Sequence, residues 1–134
     1  MPKPRVKMLD FLSTVRWLDG SPILDHIEDY RKRILSDVMD TFDGDRVRYT
    51  MALLGRGKKN GKSLDLVLMC LFACLANDSV RGNDVILIAG DEGQANDDLK
   101  LMKRLIEASP SLGRFLVIRE KKVERKDGKG SITI

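Results

Sequence analysis

GRGKKNGKS, residues 55–63, decides how the rest of this 134-residue chain is read. It closes like a phosphate-binding loop on Asn60, Gly61, Lys62 and Ser63, yet Arg56 stands where such a loop would open with a glycine. A phosphate loop works because backbone N–H groups of a tight turn, together with the N-terminus of the following helix, point at the oxyanions while a lysine neutralises them. Each requirement has a residue here. Gly61 lets the backbone come close, Lys62 reaches the β and γ phosphates, and the Ser63 hydroxyl is a ligand for Mg²⁺. Asn60 tolerates a left-handed conformation, and Gly57, Lys58 and Lys59 complete the cradle. Gly55 and Gly57, on either side of Arg56, supply the backbone freedom of the missing glycine. The competing reading is a flexible basic turn.

What surrounds the loop favours the nucleotide site. Residues 48–54, RYTMALL, read as a strand running into it, and Ser63 to Ala76 reads as a helix apolar on nearly every face, with Asp65 its only charge, closed by Asn77-Asp78-Ser79. DVILIAG, residues 84–90, is a second strand of the kind found inside a parallel sheet. Asp91 and Gln94 then form a capping box, and Ala95, Leu99, Met102 and Ile106 trace the inward stripe of a helix ending near Ser109-Pro110. Strand, loop, helix, strand, helix implies right-handed crossovers and a parallel sheet.

Upstream, Met8, Leu12 and Val15 predict a short helix. Ser21 as N-cap with Pro22 at the first position begins a second one, with Ile23, Ile27, Tyr30, Ile34 and Val38 on one stripe, stopped by Asp43-Gly44. In the tail, FLVIRE and SITI flank the charged turn Asp127-Gly128-Lys129-Gly130 as a hairpin. The expected fold is therefore α/β, a P-loop NTPase-like parallel sheet with flanking helices, built as one partial domain. Its parts are a helical N-terminal segment (1–45), a strand–loop–helix–strand–helix core (46–110) and a C-terminal β-hairpin (111–134).

With 43% hydrophobic and 33% charged residues, wholesale disorder is excluded and a core is expected. The net charge of +4 gathers at Met1–Lys7, in the loop and in residues 119–130, which suits either a polyanionic partner or a solvated surface. In that last segment six Lys and Arg residues alternate with Glu120, Glu124 and Asp127, so a solvated hairpin is the default over a DNA track. Cys70 and Cys74, four apart, read as buried thiols of a reducing cytoplasm. The longest apolar run, Leu66–Ala76, is too short for a bilayer and the N-terminus has no apolar signal segment, so neither export nor a membrane partner is expected.

Asp91-Glu92 is the acidic pair that follows an apolar strand, as in a Walker B motif. Ala89 and Gly90 separate it from that strand, however, and Asp91 serves as a cap. His26 stands alone and reads as a surface or core-edge residue. Trp17 and Tyr30 read as core aromatics rather than base-stacking ones.

Together these residues resemble the ATPase domain of the large subunit of tailed-bacteriophage terminases, the motors that pump DNA into procapsids. The resemblance lies in the tyrosine-bearing helix IEDYRKRIL before the loop, the aberrant loop ending KKNGKS, the second strand leading to DEGQA, then RLIEASPSL and a basic hairpin ending in SITI. It implies ATP and Mg²⁺ as cofactors, with double-stranded viral DNA, the portal protein and the small terminase subunit as partners. The location implied is the cytoplasm of the host cell, with oligomers only in the full motor. It also implies that Lys62 is catalytic and that Lys58 or Arg56 acts where many members carry an arginine three residues before the loop's last glycine. Tyr30 and Arg31 fall at the base, Arg31 standing where the family commonly has a glutamine that reads adenine. The family's Walker B aspartate, catalytic glutamate, coupling motif and nuclease domain lie beyond Ile134, so this stretch is expected to bind nucleotide weakly and to hydrolyse it poorly.

Two other readings stay open. One is a different P-loop ATPase or kinase with Asp91 and Glu92 as its metal pair. The other is a non-enzymatic basic module that grips a nucleic-acid backbone through the same loop.

Overall fold

The computed structural model describes residues 6–40, 42–43, 46–47, 62–76, 82–88 and 91–134. The strand expected at 48–54, the loop residues 55–61 (Arg56, Gly57, Lys58, Lys59, Asn60 and Gly61 among them), the helix stop at 77–79 and the side chain of Lys62 lie outside them. In chain order the helices are α1 (Met8–Leu12), α2 (Asp29–Asp40), α3 (Lys62–Leu75), α4 (Glu92–Ala108) and α5 (Pro110–Gly113). The strands are β1 (Phe42–Asp43), β2 (Arg46–Val47), β3 (Asn83–Ile86), β4 (Leu116–Ile118), β5 (Lys122–Arg125) and β6 (Gly130–Thr133).

Helix α3 is the axis of the molecule. Its residues are apolar around most of the circumference, so it can be stable only if enclosed. Accordingly it touches α1, α2, α4, β3 and β6, and Val67, Leu68, Leu71 and Cys74 are fully buried. Each such leucine contributes about 1.5–3 kcal/mol through burial. Cys70 and Cys74 face this core as free thiols, and burial pushes both up to about 11, which leaves them protonated and unreactive. Among the described residues no helix is long and apolar enough to cross a membrane.

The fold is mixed α/β. Among the described residues a four-stranded sheet runs in the order β3-β6-β5-β4, and within it only β3 and β6 pair in parallel, with Asn83 opposite Gly130 and Ile86 opposite Thr133. The other two pairings are antiparallel. This corrects the hairpin expected of the tail. FLVIRE does not pair with SITI; the chain reverses after Ile118, so β4 pairs with the intervening β5, and β5 with β6. The charged turn does reverse the chain between β5 and β6. Gly128, at φ +76, takes the left-handed conformation there, and Asp127 accepts from the Lys129 N–H at 2.9 Å. Among the basic residues of 119–130, Lys122 and Arg119 are matched by Glu124 and Arg125 by Asp127.

The N-terminal segment is stitched to the rest by side chains. Asp40, at the end of α2, accepts from the Met8 N–H at 2.7 Å and so caps α1. Ser109 accepts from the Arg16 N–H at 2.7 Å, and the Ser111 hydroxyl donates to the Thr14 carbonyl at 2.8 Å. Burial raises the Asp40 carboxyl above its ordinary 3.8, with the Met8 N–H and Lys7 pulling the other way. A raised carboxyl pKa means that the folded state keeps its proton longer than the unfolded chain does. The resulting stabilisation is complete below 3.8 and lost as pH rises through the folded value. Asp40→Asn keeps an acceptor for Met8, so thermal melts should show it more stable than wild type at neutral pH, the two converging near about pH 3.

The second helix departs from its expected pattern. Ser21 does not cap it; the Ser21 hydroxyl donates to Asp19, and Pro22 takes the cap position of a 3₁₀ turn, Ile23–His26. Ile27 is extended, and α2 starts afresh at Asp29. The break shifts the inward stripe to Ile23, Ile27, Arg31 and Leu35, all buried, and turns Tyr30 outward at 42% exposure. Tyr30 is therefore not a core aromatic. Trp17 is half-buried, with its ring 5.3 Å from that of the exposed His26.

Candidate functional site

Helix α3 begins at Lys62, directly after the loop motif, and Ser63 in its first turn is exposed. The α3 N-terminus thus presents the Ser63 hydroxyl on the side where the sequence places the loop, and the first turn of a helix offers amide donors to an anion. Two carboxylates stand behind this end of the helix. Both were missed in reading the sequence for ligands.

The first is Asp65, only 1% exposed. A charge so deeply buried in an apolar helix needs a partner, and α2 supplies Arg31, 4% exposed. Arg31 donates to Asp65 from Nη2 at 2.8 Å and from Nε at 3.2 Å, and from Nη1 to Glu28 at 2.9 Å. Burial pulls the guanidinium pKa down, but its bonds to Asp65 and Glu28 outweigh this and raise it, so Arg31 stays charged. The residue expected at the adenine base is thus locked to the fourth residue after Gly61, joining the N-terminal segment to the loop helix. Tyr30, its neighbour, points to the surface.

The second is Asp98 in α4, 5% exposed. Burial raises its carboxyl pKa, the nearby Asp97 raises it further, and the Ser63 hydroxyl acts in the opposite sense. Asp98 lies between Ala95 and Met102 on the inward stripe of α4, so an acid at a core position was the legible signal.

Asp91 and Glu92 are exposed at the start of α4. Asp91 accepts from the Gln94 N–H at 2.8 Å, the N-cap expected of it. At the far end of α3 the Cys74 carbonyl accepts from Asn83 Nδ2 at 3.3 Å and from Arg125 Nη1 at 3.2 Å. Arg125 therefore serves the negative end of the helix dipole. A groove of about 590 Å³ also opens at that end, lined by Phe11, Leu75, Leu112, Phe115 and Arg125. It is largely apolar and about 18 Å from Ser63 at 1.5 Å per helical residue, so it belongs to different chemistry. Among the described residues no three His, Cys, Asp or Glu side chains gather as a ready metal cage.

Scans of this chain against protein-family models, curated proteins and solved structures each returned no match.

Proposed function

We propose that this chain is a P-loop-type nucleotide-binding domain, the ATP-binding part of a tailed-phage terminase large subunit that powers translocation of viral DNA into procapsids. The observation that carries the reading is the start of the central helix at Lys62, directly after Gly61 of GRGKKNGKS, with Ser63 exposed in its first turn. In this reading residues 57–63 cradle the phosphates, Lys62 neutralises them with help from Lys58 or Arg56, and Ser63 ligates Mg²⁺. Its finer fold is a parallel sheet in which residues 48–54 feed the loop. In support, β3 is an edge strand among the described ones, with Ile86 and Ile88 exposed beside it. DNA, the portal and the small subunit are partners proposed on resemblance alone.

The alternatives draw less support. A kinase-like metal pair at Asp91 and Glu92 competes with the capping bond of Asp91, and a basic module gripping a nucleic-acid backbone through the same loop gains little from the tail, where Lys122 and Arg125 are already ion-paired. Calorimetric melting discriminates. Mg·ATP at a hundred times its Kd should stabilise the wild type by about 2.7 kcal/mol, and Lys62→Ala should abolish the effect. A wild-type melt indifferent to millimolar Mg·ATP overturns the nucleotide reading.

A further inference from the structure

We infer that Asp19, Ser21 and His26 form a clamp with one fixed order of protons, which holds His26 in its Nε2–H tautomer and pins its ring against Trp17. The clamp is independent of the nucleotide reading. Asp19 Oδ1 accepts twice from Ser21, from the backbone N–H at 2.9 Å and from the hydroxyl at 2.5 Å. On its other side the Ser21 Oγ lies 2.7 Å from His26 Nε2.

A proton count decides the direction of each bond. The bonds from the Ser21 hydroxyl and amide hold the Asp19 carboxyl below its ordinary 3.8, so Asp19 is ionised and can only accept. Ser21 has a single hydroxyl proton, and the bond to Asp19 uses it. Only lone pairs remain on Oγ, so His26 has to donate, and Nε2 is the ring nitrogen that carries hydrogen. A serine beside a histidine is also the pairing of a nucleophile with its base. The order here is the reverse of a Ser-His-Asp triad, in which the acid stands behind the imidazole and the hydroxyl proton goes to the ring. Asp19, Ser21 and His26 are therefore positioning residues.

What they position is the turn ahead of α2. The Trp17 N–H donates to the Ser21 carbonyl at 2.7 Å and the Gly20 N–H to the Trp17 carbonyl at 2.9 Å, with Gly20 at φ +88. His26 ends the 3₁₀ turn Ile23–His26, and the clamp ties that end back to the Trp17–Ser21 turn, with the two rings 5.3 Å apart. Past the clamp the chain is extended at Ile27, and α2 starts at Asp29.

The chain has one histidine, so long-range ¹H–¹⁵N NMR of the full chain reads its ring nitrogens without ambiguity, at about pH 8.5 where an imidazole is neutral. The wild type should show the Nε2–H form in at least about tenfold excess, because the other tautomer sets two acceptors face to face. Asp19→Ala touches no ring atom, yet it frees the Ser21 proton for the ring and should raise the Nδ1–H share at least about threefold. Excess Nδ1–H, or comparable amounts of the two forms, in the wild type overturns the proton order. An unchanged ratio in Asp19→Ala overturns the part played by Asp19. The indole should shift the His26 Cε1 proton in the wild type, and Ser21→Ala should lose most of that shift; an unmoved proton overturns the hold on the ring.

Discussion

Asp65→Ala is expected to cost about 3–5 kcal/mol in urea unfolding, because it leaves the Arg31 guanidinium buried opposite an apolar helix with its main partner gone. The effect should be far larger than that of removing Glu28, the exposed partner of Arg31, since exposed pairs are worth about 0–1 kcal/mol. Replacing both members, Arg31→Met with Asp65→Leu, should recover most of the loss, as apolar pairs of similar volume often equal or exceed a buried ion pair. Equal losses for the single and double variants would show that the pair itself is not the source. The consequence reaches the proposed site. The pair fixes α2 against the first turn of α3, so a variant that folds but lets α2 shift should also alter the helix end that presents Ser63.

Gly130→Val should cost about 3 kcal/mol and weaken the link between the tail and β3. A Cβ at position 130 would lie 2.7 Å from the Asn83 carbonyl oxygen and 2.9 Å from the Arg125 side chain. The arginine could move, but the carbonyl belongs to the parallel ladder and cannot retreat without opening it. Hydrogen exchange reads this directly, because the N–H groups of Asn83 and Leu87, which donate to Lys129 and Thr133 at 2.8 and 2.9 Å, should lose protection together. Gly128→Ala, strained by its left-handed backbone but in open space, should cost less and spare those amides. If Gly130→Val leaves their protection intact, the parallel pairing of β3 with β6 is wrong.

Local signals were legible where a short stretch holds all the information. The cap of α4 needed only Asp91 and Gln94, the interior character of α3 needed only its composition, and the β5–β6 turn needed only its Asp-Gly-Lys-Gly. Reading failed where two distant segments had to be weighed together. The outward turn of Tyr30 follows from an extended Ile27 that interrupts one continuous helical stripe, and the pairing of KVER with both its neighbours follows from a reversal at Arg119–Lys121 that lacks a glycine or proline. At the candidate site, Lys62 and Ser63 stood out because loop chemistry is encoded in consecutive residues. Arg31, Asp65 and Asp98 did not, since each is unremarkable until its partner is known.

By itself, then, the sequence determined where α4 begins and where the β5–β6 turn falls, which helix had to be enclosed, and which residues carry chemistry suited to a polyphosphate. Periodicity, capping and loop composition act within a few residues and need no knowledge of what lies opposite. Only the tertiary structure decided that the tail joins β3 in a mixed sheet, that Arg31 neutralises Asp65, and that Asp98 is buried. A buried charge takes its meaning from whatever group lies across the packed interface, and for Asp65 that group comes from 34 residues away along the chain.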